Sequence, residues 1–371
     1  TTLEWVRRRL SVRARRWIER MVIRRCHHVI VLSEFMQRQV MVTHGIVLKH
    51  ITVVPGAADP ARFYPAHDRN EVRRELKLPE SRTLLFTVRN LVPRMGLEHL
   101  LEAMTMLGEE QRDLLLLIGG EGQLRLRLEE LIRSEGLQDS VQLLGFVPED
   151  QLAKYYQASD LVVMPTLQLE GFGLVTVEAL ACGTPVMGTP VGAIPEVLRT
   201  VDPLLVTEGT DGRSLAKTLR LMLKRFRDQP GERERFSRKG REVVERRYNW
   251  EAHTADLDQL FVSLSKVDQA PKARKVIHVI TRLDYGGSAQ NTMLTALGHD
   301  RAQFEPLVVA GYPGCWDAQG GQAATEENCR RLEKAEVRWM LLPSLTREVQ
   351  LLNDMQALWQ LIRLFRQERP A

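Results

Sequence analysis

Two glutamates and the glycines between them carry the clearest chemical pattern in the sequence. Glu170 and Glu178 stand eight residues apart, and Gly171 and Gly173 lie between them, after an apolar strand-like run. Glycines at the start of a helix leave backbone N–H groups free at its N-terminus, where phosphate binds. Glu178, further into the helix, can accept hydrogen bonds from ribose hydroxyls. The commoner alternative for an isolated pair is two solvated glutamates, and the surrounding glycines argue against it.

The segments around this motif alternate between short apolar runs and helical patterns from about residue 83 to residue 206. Continuous apolar strands separated by amphipathic helices are typical of a parallel sheet covered on both faces. The sequence therefore predicts an α/β fold with a doubly wound, Rossmann-like domain. The predicted strands are Thr83–Val88, Leu114–Ile118, Val141–Leu144, Leu161–Met164, Pro185–Met187 and Leu204–Val206.

Beyond this region, residues 211–265 show only helical patterns, with breaks at 230–231 and 248–250. Residues 266–274 have the composition of a linker. A strand pattern then restarts at Lys275–Thr281, and we expect another α/β domain that stays incomplete at Ala371. Its other predicted elements are the helix Ser288–Leu297, the strands Leu307–Ala310 and Val337–Leu342, and a helix over about 349–365.

The Glu170–Glu178 segment resembles the E-x7-E motif of retaining GT-B glycosyltransferases of family 4, also called glycosyl transferase group 1. The resemblance extends in order over about residues 28–265 and implies a GT-B-type fold. The other matching segments are Ile51–Asp59 with Arg62-Phe63, Gly119–Gly122, Phe146-Val147 and Gly192–Glu196.

The resemblance also implies how a sugar donor is held. Family members carry an arginine at the end of one strand and a lysine just before a glycine, and both grip the donor diphosphate. Arg89 fits the first position, whereas Met95 occupies the second. We expect the adjacent Arg94 to replace the lysine, because a guanidinium that turns inward can hold phosphate. The alternative is an exposed Arg94 and a clamp that is half missing.

The resemblance also implies that Glu170 contacts the sugar and Glu178 the ribose. The predicted catalytic residues are Arg89, Arg94 and Glu170. Other donor-binding positions follow from the same resemblance. They are Gly120, Glu121, Phe146, Val147, Gly171, Phe172, Gly173 and Leu174.

The matching pieces stand in an unusual order. Residues 1–50 resemble the remnant of a first N-terminal, acceptor-side domain, and 51–265 a C-terminal nucleotide-sugar domain with its crossing helix. Residues 275–371 resemble the first half of a second N-terminal domain, with its glycine loop at Gly286-Gly287. We interpret the chain as a fragment of two transferases fused in tandem; circular permutation and a misread reading frame are the alternatives. The family's N-terminal-domain histidine has no counterpart here, so weak activity is expected.

The predicted reaction moves a sugar from a UDP- or GDP-linked donor to a glycan or lipid-linked acceptor, with retention, in polysaccharide or lipopolysaccharide-type biosynthesis. One alternative is a catalytically deficient nucleotide-binding fragment. Another is a nucleotide-sugar epimerase on the same GT-B fold. A nicotinamide-dependent oxidoreductase is disfavoured, because the sequence contains no G-x-G-x-x-G fingerprint.

No metal or other cofactor is expected. Arginines and helix-terminal N–H groups can neutralise the charge of a nucleoside diphosphate leaving group. The one Asp-x-Asp motif, Asp256-Leu-Asp258, falls inside a helical pattern, and we interpret it as a solvated helix face. The four cysteines are widely separated, which predicts neither disulfides nor zinc and suits a reducing cytoplasm.

Charge is concentrated at the start of the chain. The net charge is +5, yet residues 1–50 alone hold eleven Lys or Arg against three Glu. Residues 5–25 mix arginines with apolar side chains, as in a basic helix on anionic lipid at the inner face of the cell membrane. The alternative is a helix that packs inward in the first domain. No nucleic-acid reading motif, membrane span or signal peptide is found, so a cytoplasmic protein is expected.

Overall fold

The computed structural model describes residues 17, 19–229, 231–264, 273–284, 287–311, 321–346 and 351–370. It divides into two compact units, Thr1–Asn249 and Trp250–Ala371, and each is considered by itself. Most of the Arg-rich segment 5–25 lies outside the described residues. None of the helices in the described ranges is long and apolar enough to cross a membrane.

The first unit is built on a five-stranded parallel sheet with the order β5-β4-β3-β6-β7, and β1 and β2 form a separate parallel pair. The strand order reverses at β3, so the crevice outside the carboxyl ends of β3 and β6 is the place where such sheets bind ligands. The strands are β1 Val29–Val31, β2 Ile51–Val53, β3 Thr83–Val88, β4 Leu114–Gly119, β5 Val141–Gly145, β6 Leu161–Met164 and β7 Val186–Gly188.

Helices connect and cover these strands, and the predicted doubly wound α/β fold is confirmed. Every residue of β4 is buried, because its apolar run lies in the middle of a sheet that is covered on both faces. The helices are α1 Glu34–His44, α2 Arg69–Glu75, α3 Leu97–Met106, α4 Arg125–Ser134, α5 Glu149–Ala158, α6 Leu174–Ala181, α7 Ile194–Val201, α8 Gly212–Asp228 and α9 Glu232–Arg247.

The predicted strand Leu204–Val206 is wrong. Pro203–Leu205 forms a 3-10 turn, in which the Asp202 carboxylate accepts a hydrogen bond from the Leu204 N–H at 3.0 Å. Proline favours the first position of such a turn, and the aspartate satisfies a free N–H group at its start. Only an isolated bridge from Val206 to Gly188 remains of the expected pairing.

The second unit holds a three-stranded parallel sheet with the order β10-β9-β8. Of the predicted glycine loop, Gly287 begins α11, and Gly286 lies outside the described residues. The elements are α10 Trp250–Leu264, β8 Arg274–Ile280, α11 Gly287–Gly298, β9 Phe304–Gly311, α12 Gly321–Lys334, β10 Arg338–Leu342 and α13 Leu351–Glu368.

Helix α10 belongs to this second unit, although the predicted domain boundary lay after it, at residue 265. The Asp258 carboxylate accepts hydrogen bonds from His299 Nδ1 at 2.5 Å and from the Asp300 N–H at 3.0 Å. These bonds tie α10 to the residues that follow α11. The assignment of the pieces to two fused transferases stays a prediction.

The interpretation of Asp256 and Asp258 as one solvated helix face is wrong for Asp258. Asp256 is exposed, whereas Asp258 is 9% exposed and has the partners named above. Residues two apart on a helix point in nearly opposite directions, so the two carboxylates do not share a face.

Candidate functional site

The loops that follow β3, β4 and β6 meet at the carboxyl edge of the sheet, and two glycines permit their close approach. A Cβ atom at Gly120 would lie 1.9 Å from the Arg89 carbonyl oxygen, and one at Gly96 would lie 1.8 Å from that of Pro165. Both glycines also have positive φ angles, which other residues rarely adopt. The backbones of the three loops therefore come close together here.

Arg89 and Glu170 form the centre of this site. The Arg89 guanidinium forms an ion pair with the Glu170 carboxylate and donates a hydrogen bond to Thr166 Oγ1 at 2.8 Å. Their side chains are only 6% and 13% exposed. Arg89 Nε is buried and has no hydrogen-bond partner among the described residues. The site thus contains a buried cation and a buried anion, each close to the α6 loop.

The glycine loop opens a helix, as predicted. Gly173 has a left-handed conformation and precedes the first residue of α6, Leu174. The loop is held from one side by Ser33, whose hydroxyl donates to the Gly171 carbonyl at 2.6 Å. Phe172 is 5% exposed, and its ring lies 5.7 Å from that of Tyr248. Phe172 therefore anchors the loop in the core, while the two glycines stay at the site.

Glu178 lies within α6 and is 7% exposed, so the alternative of a solvated surface glutamate is wrong. Its Oε2 accepts a hydrogen bond from the Tyr156 hydroxyl at 2.9 Å. Burial raises the pKa of Glu178 to about 7, and the hydrogen bond from Tyr156 opposes that rise. Glu178 therefore titrates in the neutral range.

Arg94 and Met95 point to different environments. Met95 is 7% exposed and packs in the core, so it leaves no cation at the family's lysine position. Arg94 is exposed, and its Nη1 donates to the Leu169 carbonyl at 3.2 Å. It lines a cleft of about 510 Å³ that also involves Val92, Pro93, Leu167 and Gln168. Its role as a phosphate clamp stays a prediction.

The remaining predicted positions lie in loops at the same edge of the sheet. The Glu121 carbonyl accepts from the Leu91 N–H at 2.8 Å, and the Gly120 N–H donates to the Gly145 carbonyl at 2.7 Å. Phe146 is 55% exposed, whereas the adjacent Val147 is 9% exposed. The contact of Phe146 and Val147 with a nucleobase stays a prediction.

Sequence reasoning missed four residues that support the site: Tyr156, Thr166, Ser33 and Glu196. Tyr156 and Thr166 contact Glu178 and Arg89, as described above. The Glu196 carboxylate accepts from the N–H groups of Glu34 at 2.9 Å and Phe35 at 2.6 Å, and so caps α1. Only Glu196 had a signal, because it ends one of the segments that match the family. Across the described ranges, no cluster of acidic, histidine and cysteine side chains is suited to a metal.

Comparisons with known proteins show what the chain is similar to. Residues 68–243 match the family described as "Glycosyl transferases group 1". A GDP-mannose-dependent monoacylated alpha-(1-6)-phosphatidylinositol monomannoside mannosyltransferase from Corynebacterium glutamicum is 32% identical over 53% of this chain and 52% of its own. A 2-deoxystreptamine glucosyltransferase from Streptomyces kanamyceticus is 30% identical over 56% of this chain and 54% of its own. The chain spans about half the length of these curated relatives.

Solved structures show the same architecture. Sucrose-phosphate synthase from Thermosynechococcus elongatus superposes with a TM-score of 0.59 at 28% identity, over 68% of this chain and 62% of that one. HepE from Anabaena, solved in complex with UDP, has a TM-score of 0.57 at 18% identity, over 64% of each chain, which supports the fold alone. The chain has the GT-B-type α/β fold, and its residues 68–243 match the glycosyl transferases group 1 family.

Proposed function

We propose that this chain binds a nucleotide-diphosphate sugar and is part of a glycosyltransferase that transfers the sugar with retention of its anomeric configuration. The observation that carries the proposal is the meeting of Arg89 and Glu170 beside the glycine loop that opens α6. The family match over 68–243 supports transfer of a sugar as the reaction. One relative is named as GDP-mannose-dependent, and one structural neighbour was solved in complex with UDP. Guanine and uracil are therefore both candidates for the base of the donor.

In the proposed reaction, the bond between the anomeric carbon and the diphosphate breaks, and an acceptor hydroxyl bonds to that carbon on the same face and passes its proton to the departing diphosphate oxygen. Negative charge grows on the departing nucleoside diphosphate. Arg89, Arg94 and the N–H groups at the start of α6 stabilise this charge, so the proposal includes no metal. Glu170 contacts the sugar and Glu178 the ribose.

Binding of the donor would exchange the partners of Arg89. In the absence of donor, its charge is balanced by Glu170, which is largely buried with it. A diphosphate can replace Glu170 as the anion, because it offers oxygens at higher charge to the same guanidinium. The released Glu170 carboxylate can then accept hydrogen bonds from hydroxyls of the donor sugar.

The acceptor side of the proposal rests on the sequence. We infer a glycan or lipid-linked acceptor of the polysaccharide or lipopolysaccharide type, and a peripheral contact of residues 5–25 with the inner face of the cell membrane. The Corynebacterium glutamicum relative, whose name places its acceptor on phosphatidylinositol, supports a lipid-linked acceptor.

Calorimetric titration with UDP, GDP and uridine tests donor binding, and incubation with UDP- and GDP-hexoses tests turnover. Tight binding of one diphosphate, followed by a glycoside with the anomeric configuration of the donor, is the expected result. Binding without product would instead identify a nucleotide-binding protein that lacks turnover. An altered nucleotide sugar without acceptor would identify an epimerase. If neither diphosphate binds, the proposed function is wrong.

A further inference from the structure

The buried tyrosine beneath α6 has no part in the reaction described so far. Tyr156, on α5, is 0% exposed, and its ring centroid lies 5.6 Å from that of Phe86 and 6.0 Å from that of Phe63. Aromatic contacts on two sides hold the ring, so its hydroxyl has a defined position. That hydroxyl reaches α6 and donates its hydrogen bond to Glu178 Oε2 at 2.9 Å.

The direction of this hydrogen bond is determined by the surroundings of both groups. Burial, and the negative charge of Glu178, raise the pKa of the Tyr156 phenol well above its ordinary value, so the tyrosine keeps its proton. A phenol that remains protonated is a donor, and its natural partner is an ionised carboxylate. Tyr156 therefore favours the charged form of Glu178.

The hydrogen bond also leaves one carboxylate oxygen available. Oε2 is occupied by Tyr156, whereas no described residue donates a hydrogen bond to Oε1. Glu178 keeps 7% of its surface exposed. Neighbouring charges come from Arg62 and Glu149, which act on Glu178, and from Arg89 and Cys182, which act on Tyr156. On the α9 side, the Arg241 guanidinium is directed to the Ala181 carbonyl.

We propose that Tyr156 is a positioning residue for donor binding: it holds Glu178 charged, with one oxygen fixed by the phenol and the other left to accept a hydrogen bond from the ribose. The inference rests on the proposed function, because it assigns Tyr156 to the same donor site. If Tyr156 only filled the space between Phe63 and Phe86, a phenylalanine would serve equally well.

The proposal has a pH consequence with a definite sign. Protonated Glu178 loses its charge and part of its capacity to accept hydrogen bonds, so donor affinity falls as the pH decreases through about 7. Removal of the phenol takes away a hydrogen bond that favours the charged form, and the pKa of Glu178 then rises further. In Tyr156→Phe, the decrease in affinity should therefore begin at a higher pH.

The test measures the Kd of UDP-glucose and GDP-mannose between pH 6 and pH 8.5 by calorimetry. These sugar nucleotides suit the test because their diphosphate, esterified at both ends, does not titrate in that range. Tyr156→Phe is compared with the wild-type protein and with Tyr155→Phe, the matched control. Tyr155 is the adjacent tyrosine, and its ring stacks on Phe86 at 5.5 Å. Thermal melts verify that all three proteins are folded.

We expect an inflection near pH 7 for the wild type and for Tyr155→Phe. For Tyr156→Phe we expect the inflection about one pH unit higher and affinity about fivefold weaker at pH 7, because about half of Glu178 is already protonated at that pH in the wild type. A Tyr156→Phe profile equal to that of the wild type, or one weakened equally at every pH, would overturn this inference and leave the proposed function intact. A wild-type protein that binds neither sugar nucleotide at any pH would overturn both.

Discussion

Replacement of Arg94 by glutamine should weaken the binding of a nucleoside diphosphate and leave the stability of the protein unchanged. Arg94 is exposed, and among the described residues its guanidinium donates one hydrogen bond, to the Leu169 carbonyl at 3.2 Å. Loss of a surface contact of this kind alters the free energy of unfolding by less than about 0.5 kcal/mol. Because Arg94 lines the cleft beside Leu167 and Gln168, we expect it to contact the donor.

The expected loss of affinity follows from this exposure. A hydrogen bond to a charged group contributes about 1.5–3 kcal/mol. Solvent screening around an exposed guanidinium favours the lower end of that range. Since about 1.4 kcal/mol corresponds to a factor of ten, the Kd for UDP or GDP should increase about tenfold in Arg94→Gln.

The assay compares UDP with uridine by calorimetry, because the difference between the two isolates the diphosphate. Arg94→Gln should reduce the affinity for UDP and leave that for uridine unchanged. Arg112→Gln is the matched control: this exposed arginine pairs with Glu109 just before β4, at the amino end of the strand. Unchanged UDP affinity in Arg94→Gln would refute the substitution of Arg94 for the lysine of the family.

Two further predictions concern stability, which urea unfolding measures. Gly96→Ala should lower the free energy of unfolding by clearly more than Gly136→Ala. Both positions have left-handed φ angles, which cost about 1–2 kcal/mol for alanine. Only at Gly96 would the added Cβ also lie 1.8 Å from a backbone oxygen. Equal losses would contradict the close approach of the loops. Asp258→Ala should lower the free energy of unfolding by about 3 kcal/mol, because it leaves His299 without its buried partner. Asp256 is exposed, and an equal loss in Asp256→Ala would contradict a special role of the Asp258–His299 pair.

The strands at the centre of the sheet could be predicted from the sequence with little error. The predicted bounds of β3, Thr83–Val88, and of β6, Leu161–Met164, are those of the structure. Both segments are apolar runs between turn residues, and central strands buried on both faces require that composition. The glycine loop at the start of α6 was equally predictable, because glycine next to an apolar helix is a local signal.

Predictions failed where a local pattern has two structural outcomes. The apolar residues of Leu204–Val206 suit a strand, yet Asp202 and Pro203 begin a 3-10 turn. Asp258 is a charged residue in a helical pattern, and charge indicates a solvated face unless a partner is known. Its partner, His299, lies 41 residues further along the chain, and no periodicity within α10 could indicate it.

By itself, the sequence determined the α/β class, the positions of the central strands and the family motif, because apolar spacing and glycine placement depend on neighbours in the chain. The tertiary structure alone decided that Arg89 pairs with Glu170, 81 residues away, and that Tyr156 donates to Glu178. The first contact depends on the pairing of β3 with β6, which places the carboxyl ends of these strands side by side, and the second depends on the packing of α5 against α6. Burial then raises the pKa of Glu178, because the energy of a charge depends on all the groups that surround it in space.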